Sequence, residues 1–213
     1  MSQTLSPSRP QSTKPYPRAR KVPAPSWQVA QLFPTEGQWS EGDYLLLPTK
    51  RLVELSNGSL EVLPVPTRIH QQIVAFLYQA LLTHARAKEL GSVYFAPLPL
   101  RLWEGKYREP DVIFVSAHNK KALEGEYLQG ADLVMEVVSS RDALRDYRIK
   151  RREYARARIA EYWIADSGKG ALTILRLKGT SYVIHGTFRK GQRAASALLP
   201  GFTVGVEDVF ASK

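Results

Sequence analysis

The sequence predicts a mixed α/β or α+β protein, in which helices pack on a mixed β-sheet. Apolar, strand-like runs occur both before and after two helical stretches, an order typical of that class. The 213 residues suit one domain, and a chain of this size buries about two-thirds of its unfolded surface. No internal repeat and no second domain is apparent.

The composition limits the chemistry of any site. There are no cysteines, which excludes disulfides and thiolate metal sites and leaves carboxylates, imidazoles, carbonyls and water as ligands. Hard cations such as Mg²⁺ or Mn²⁺ suit those ligands. No apolar run approaches the roughly 18 residues of a membrane span, and the N-terminus lacks the apolar core of a secretory signal. We therefore expect a soluble, cytoplasmic protein with no membrane partner.

The basic charge favours an anionic partner, with nucleic acid as the first candidate. The formal net charge is +10 and the pI is about 9.8. Half of that excess lies in residues 1–25, which hold five basic residues, six prolines and no acidic residue. This composition predicts a disordered basic tail, followed by a folded domain over residues 26–213. The tail could be a solubilising extension or an arm that loosely holds phosphates.

Local signals at the start of the domain predict a short helix and a hairpin. Ser40 lies three residues ahead of Asp43, a capping-box spacing for a helix that ends before Pro48. Asn57-Gly58 then separates two apolar runs, the strongest short-range signal of a two-residue hairpin turn. With that turn, Glu54 pairs with Glu61, so two like charges lie opposite each other.

The rest of the chain alternates predicted helices and strands. Apolar residues from Ile69 to Ala80 have the spacing of a helix with one buried stripe, and Gly91 is a plausible stop. A charged helix is predicted over residues 141–158. The predicted strands are "SVYFAPLPLRLW", "YREPDVIFVS", "LVMEVVSS", "EYWIAD", "ALTILRLK", "SYVIHGTF" and, more weakly, "LPGFTVGVEDVF". Pro97, Pro99 and Pro110 mark bends or edges, because proline cannot donate to a central ladder.

Two carboxylates stand in strands that are otherwise apolar. Asp111 begins one such strand, and Glu136 lies inside another. A buried ionised carboxylate needs a cation, hydrogen bonds or a route to water. If the strands are neighbours, one divalent cation could relieve both carboxylates. The alternatives are a solvated edge position or salt bridges to arginines, and Glu54 or Glu61 could join the same polar cluster.

The helix after Glu136 separates into two faces on a helical wheel. One face is a basic stripe that we expect to be solvated, with nucleic-acid or partner contact as the alternative; it comprises Arg141, Arg145, Arg148, Arg152 and Arg156. Lys150 lies on the opposite side, which should meet the sheet. It is therefore a candidate site residue, and an ion pair with Asp146 four residues earlier is the alternative.

Taken together, these segments resemble the Uma-two family, bacterial restriction-endonuclease-like proteins within the PD-(D/E)XK nuclease superfamily. The resemblance spans roughly residues 36–210. It rests on "LVELSNGSLEV", His70 in the following helix, "REPDVIFVS", "ADLVMEVVSS", the spacing of Asp146, Lys150 and Tyr154, and "EYWIAD". It implies a restriction-endonuclease-like mixed β-sheet flanked by helices.

The resemblance also implies roles for individual residues. Pro110-Asp111 matches the PD element and Glu136 matches the second acidic position. Val138 stands where the usual lysine would be, and Lys150 on the next helix takes its place. Glu54 and His70 match positions often retained in the family. The chain departs from the family at Ser140, where proline is common, and at Arg158, where glycine is usual.

The expected function is a Mg²⁺- or Mn²⁺-dependent endonuclease that hydrolyses DNA phosphodiester bonds. Asp111 and Glu136 would ligate the metal together with the backbone carbonyl of Val137, and Lys150 would assist catalysis. Glu54 could ligate a second metal or orient a water, and His70 could be catalytic or a core histidine. A catalytically inactive nuclease-fold module that binds nucleic acid or a protein partner is the alternative. Many restriction-type nucleases cut as dimers, so a homodimer is a further expectation from the resemblance.

Overall fold

The structure is a computed structural model that describes residues 33–49, 51–138 and 144–211. From Thr35 onward the described residues form one compact unit. The predicted tail of residues 1–25, and the predicted start of folding at Ser26, lie outside the described residues. Within the described ranges, no helix has the length and apolar character needed to cross a membrane.

Four α-helices and two other helical segments occur in the described chain. The α-helices are α1 (Glu41–Leu45), α2 (Arg68–Ala87), α3 (Arg151–Arg156) and α4 (Val206–Phe210). A π-helical turn, Arg145–Lys150, runs directly into α3, and a 3₁₀ helix covers Lys120–Leu123. Helix α1 begins with the predicted capping box, in which Ser40 and Asp43 bond each other's backbone N–H.

Twelve strands form three sheets in the described chain. They are β1 (Val53–Ser56), β2 (Ser59–Val62), β3 (Gly91–Phe95), β4 (Leu100–Trp103), β5 (Lys106–Arg108), β6 (Val112–Ser116), β7 (Leu133–Val138), β8 (Glu161–Asp166), β9 (Ala171–Lys178), β10 (Ser181–Arg189), β11 (Arg193–Ala195) and β12 (Thr203–Gly205). The main sheet has the order β10-β9-β8-β7-β6-β3, the second sheet β2-β1-β5-β4, and β11 pairs with β12.

The mixed sheet is confirmed, because β7 and β8 are parallel while the other neighbours in the main sheet are antiparallel. The prediction of a single sheet was incomplete. The chain breaks at Pro97 and Pro99, between β3 and β4, and again at Pro110, between β5 and β6. Each predicted long strand is thereby split, and its halves enter different sheets. The prolines remove N–H donors at the points where the chain leaves one ladder for another.

Strand β7 lies inside the main sheet and separates two apolar clusters. Met135 and Val137 belong to the cluster built with α2 and α4, whereas Val134 and Val138 belong to the cluster built with α3. Successive side chains of a strand point to opposite faces, so Glu136 faces α3 together with Val134 and Val138. All six residues of β7 are buried, as the run of apolar residues predicted.

The predicted hairpin is confirmed in both turn and register. Asn57 and Gly58 have φ angles of 50° and 80°, as a type I′ turn requires. Glu54 pairs with Glu61 and Leu55 with Leu60. A Cβ on Gly58 would lie 2.3 Å from the carbonyl oxygen of Gly37. Both this clash and the positive φ angle therefore exclude a side chain at position 58.

Two further segments, the C-terminal segment and the residues just after α3, can be compared with the sequence. The C-terminal segment predicted as a weak strand contains β12 and then helix α4. Helix α3 ends at Arg156, and Arg158 just beyond it has a left-handed φ of 65°. That conformation is the usual reason for glycine just past a helix end, and it explains the glycine that the family resemblance leads one to expect there.

Candidate active site

The register of the main sheet brings Asp111 and Glu136 together. Val112 of β6 pairs with Met135 of β7, in antiparallel orientation. Asp111 immediately precedes Val112, so it lies beside the part of β7 that carries Glu136. The two predicted carboxylates border one cavity.

Asp111 is held by the backbone of β7 and by helix α2. Its Oδ2 accepts a hydrogen bond from the N–H of Val137 at 2.8 Å. The same oxygen lies 3.3 Å from Nε2 of His70. His70 stands in the first turn of α2, where its own N–H donates to the N-cap hydroxyl of Thr67. The predicted residues Asp111, His70 and Val137 are thus in direct contact.

Glu136 receives Lys150, as the inward position on the wheel predicted. Nζ of Lys150 lies 2.8 Å from Oε2 of Glu136, and the hydroxyl of Tyr154 donates to Oε1. Lys150 also lies 3.4 Å from Oδ1 of Asp146 and 4.0 Å from Oε1 of Glu54. The sequence left open whether Lys150 pairs with Asp146 or reaches the sheet. It does both.

Electrostatics in this buried cluster are dominated by carboxylates. Burial, reinforced by Asp111 and Asp146, raises the pKa of Glu136 to about 8, although Lys150 acts in the opposite direction. Burial likewise raises the pKa of Asp146. Burial alone would lower the pKa of Lys150, but Glu136, Glu54 and Asp146 together raise it above its usual range. The cluster thus has an affinity for additional positive charge.

Glu54 is held by arginines rather than by the carboxylate cluster. Arg108 and Arg145 each donate to both Glu54 and Glu61, which neutralises the like-charge pair across the hairpin. The N–H of Glu109 donates to the other oxygen of Glu54 at 3.1 Å. Burial opposes ionisation of Glu54, yet the neighbouring cations Lys150, Arg108 and Arg145 lower its pKa to about 2.

Arg145 corrects the prediction of a solvated arginine stripe. Arg148, Arg152 and Arg156 are exposed as expected, and Arg141 lies outside the described residues. Arg145 instead turns inward and binds Glu54 and Glu61. The wheel assumed 100° per residue throughout, whereas residues 145–150 form a π-helical turn with more residues per turn.

Glu109 is a site residue that the sequence reasoning missed. Its side chain borders the same cavity as Asp111, and its carboxylate lies beside the hydroxyl of Tyr44. Burial, with a contribution from Glu54, raises its pKa to about 7. The sequence did offer one signal for Glu109: it lies between Arg108 and Pro110, two residues before the predicted site residue Asp111.

These side chains border one cavity of about 370 Å³. Its polar wall is formed by His70, Glu109, Asp111, Glu136, Arg145, Asp146 and Lys150. Its apolar wall is formed by Leu52, Leu63, Pro64, Val65 and Pro66, and Thr67 and Val137 complete the lining. Glu54 lies behind this lining rather than in it. Four carboxylates and two cationic side chains, those of Arg145 and Lys150, therefore border the same cavity.

The donor set suits a hard divalent cation. Asp111 and Glu136 could supply carboxylate oxygens, and Glu109 borders the same cavity. Among residues 33–49, 51–138 and 144–211, no three or more His, Asp or Glu side chains form a ready-made metal cage. Mg²⁺ is commonly bound by only one or two carboxylates, with water and substrate phosphates completing the shell. The residues present therefore fit such an ion.

Comparison with solved structures places the chain among proteins of nuclease-like fold. It matches the crystal structure of a "putative nuclease belonging to DUF820" from Anabaena variabilis, with a TM-score of 0.64 and 14% sequence identity. The match covers 81% of this chain and 98% of the other. At this identity the likeness shows a shared fold, and it confirms the predicted fold class.

The family assignment follows from the sequence. The model of the Uma2 family, described as "Putative restriction endonuclease", matches residues 42–207. The chain therefore belongs to the Uma2 family, and the resemblance drawn from its motifs is confirmed. No curated protein matches the chain.

Proposed function

We propose that the protein is a metal-dependent endonuclease that hydrolyses phosphodiester bonds in DNA. The observation that carries this proposal is the 2.8 Å contact between Lys150 and Glu136, in a cavity that Asp111 also borders. The three residues come from a helix, a central strand and the start of its neighbour. A silent binding module would have no need to bring all three together at the cost of burying them.

The chain's own residues divide the work as follows. Asp111 and Glu136 would hold Mg²⁺ or Mn²⁺, with the carbonyl oxygen of Val137 as a third oxygen donor. Such a cation, when bound, stabilises negative charge on the scissile phosphate and makes a water more acidic. Lys150, whose ammonium is kept protonated by its carboxylate neighbours, orients the attacking water or stabilises charge developing on the phosphate.

His70 and Glu54 act as positioning residues in this scheme. His70 contacts the Oδ2 of Asp111 that also accepts from Val137, so it sets the orientation of that carboxylate. Glu54 has both oxygens engaged by Arg108, Arg145 and the N–H of Glu109. These contacts favour a role in orienting Arg145 and Glu109 over direct ligation of a second metal.

DNA as substrate is supported by the family and by the net charge of +10. Three arginines on the solvent side of the helix that carries Lys150 are exposed and available to phosphates: Arg148, Arg152 and Arg156. Contacts of this kind position a nucleic acid without selecting its sequence.

The proposal is tested by nicking and cleavage of supercoiled and linear DNA with Mg²⁺ or Mn²⁺. We expect metal-dependent cutting by the wild type, and a loss of at least about 100-fold in Glu136→Gln and Lys150→Met, the scale on which one charge-stabilising group contributes to catalysis. The matched control is Lys178→Met, which removes an exposed cation of β9 that does not border the cavity. Circular dichroism establishes that each variant is folded.

Two results would count against the enzyme. Cutting that persists in both Glu136→Gln and Lys150→Met would place the active site elsewhere. DNA binding with a steep salt dependence, but no cutting under any metal condition, would instead identify a catalytically inactive binding module.

A further inference from the structure

The cavity has two chemically different walls. The polar wall carries the carboxylates and the two cations already described. The opposite wall is apolar and comes mainly from one continuous segment, residues 63–66, between the end of β2 and the start of α2. A site that only needed to grip a phosphate would have no use for this second wall.

The apolar segment is stiff and partly presented to solvent. Two of its four residues, Pro64 and Pro66, have fixed φ angles and no N–H that needs a partner. The N–H of Leu63 donates to the carbonyl of Leu52 at 2.9 Å, which ties the segment to the entry of β1. Val65 is 87% exposed, so it contributes little to the core while bordering the cavity.

The size of the cavity exceeds what the reacting phosphate requires. Its 370 Å³ would hold about a dozen waters at roughly 30 Å³ each. The same volume falls at the lower end of the range of roughly 300–1,000 Å³ found for pockets that enclose small organic ligands. There is thus room beside the polar wall for a flat, largely apolar group of the size of a nucleobase.

Charge orients such an occupant once a divalent cation offsets the four carboxylates of the polar wall. Lys150 and Arg145 lie on the polar wall and would face a phosphate, whereas the ring of a base has no charge and suits Leu63, Pro64 and Val65. Leucine and proline side chains are among those that proteins insert against bases in distorted DNA. A base that is paired and stacked in a continuous duplex cannot enter this space unless it is first extruded, and extrusion is easiest for an unpaired base.

We propose that the cavity receives one unpaired nucleotide, with its phosphate toward Lys150 and Arg145 and its base against the wall formed by residues 63–66. The inference rests on the proposed function, because it assigns the substrate class of the same site. It predicts a preference for single-stranded DNA, or for duplexes with an unpaired nucleotide, over fully paired duplex.

The first test measures binding by fluorescence anisotropy in Ca²⁺, which takes oxygen ligands as Mg²⁺ does and so offsets the carboxylates; gel analysis checks that the probes stay intact. The probes are one labelled strand alone, the same strand fully paired, and the same duplex with a single unpaired nucleotide. We expect the fully paired duplex to bind about tenfold more weakly than the other two, since extruding a paired base carries the larger cost. Equal binding of all three probes, or tighter binding of the paired duplex, would overturn the inference.

The second test locates the base. Val65→Ser removes an apolar group from the cavity wall at a position too exposed to affect folding, and Leu46→Ser, at an 83% exposed position outside the cavity, is its matched control. The discrimination against paired duplex should fall below about threefold in Val65→Ser and stay unchanged in Leu46→Ser. A 2-aminopurine at the unpaired position should change emission on binding the wild type and less so with Val65→Ser. Retention of full discrimination in Val65→Ser contradicts the placement.

The two proposals fail separately. A binding preference that depends on Val65, without cutting of any probe in Mg²⁺ or Mn²⁺, refutes the nuclease and leaves the nucleotide site standing. Metal-dependent cutting of all three probes at equal rates, without a binding preference, supports the nuclease and refutes the unpaired-nucleotide site.

Discussion

The buried carboxylate of Glu54 permits a quantitative test of how the hairpin is held against the helix that carries Lys150. Burial alone would raise its pKa, but Lys150, Arg108 and Arg145 lower it from 4.5 to about 2. A decrease of this size means that the folded protein favours the ionised form by about 3 kcal/mol. Glu54→Gln keeps the shape of the side chain and removes that charge.

The pH dependence follows from the sign of the change. A carboxyl whose pKa is lowered on folding contributes stability above its unfolded value of 4.5, and loses it as the pH falls from there toward 2. The free energy of unfolding of Glu54→Gln should therefore be lower than that of the wild type by about 3 kcal/mol at pH 7 and by only about 1 kcal/mol at pH 3.

The assay is urea unfolding followed by tryptophan fluorescence, which Trp163 in the core reports. Glu61→Gln is the matched control, because Glu61 accepts hydrogen bonds from the same two arginines but its side chain is 33% exposed. It should cost less than about 1 kcal/mol, as solvent-screened ion pairs do. Equal losses in the two variants, or a loss in Glu54→Gln that does not change with pH, would refute the reasoning.

Three further outcomes are expected. Burial raises the pKa of Glu136 to about 8, so the stability that its protonated carboxyl contributes is complete below pH 4.5 and is lost as the pH rises through 8. Between pH 5 and pH 9, the free energy of unfolding should therefore fall less in Glu136→Gln than in the wild type, as measured by urea unfolding. Millimolar Mn²⁺ or Mg²⁺ should raise the thermal midpoint of the wild type, and Asp111→Asn should abolish that increase, as seen by calorimetry. Arg158→Gly should stabilise the protein by about 0.5–1 kcal/mol by relieving a left-handed residue, and a loss of stability would show that the bond from Arg158 to the Gly179 carbonyl outweighs that strain.

Local signals explain which predictions agreed with the structure. The Asn57-Gly58 turn sets hairpin register through backbone conformation alone, so the pairing of Glu54 with Glu61 followed directly from the sequence. The capping box of α1 and the buried run of β7 are equally local. Lys150 was assigned to the inner face from its spacing relative to apolar neighbours, and it does reach Glu136.

Long-range packing explains what the sequence reasoning missed. Arg108 is 1% exposed and pairs with Glu54, Glu61 and Glu153 at once, yet nothing adjacent to it in the chain indicates those partners. Glu109 lies where the chain passes from β5 of the second sheet to β6 of the main sheet. No periodic pattern in the sequence indicates either the ion pairs of Arg108 or the place of Glu109 in the cavity.

The linear sequence was sufficient for the fold class and the hairpin register, since these depend on spacing over a few residues or on motifs in a recognisable order. The tertiary structure alone decided which charges pair. It turned Arg145 inward through a π-helical turn, split the proline-broken strands between two sheets, and enclosed four carboxylates with two cations in one cavity. Coulomb energy and desolvation depend on distances in space rather than along the chain, so the chemistry of the site could be proposed from the sequence but its electrostatic balance could not.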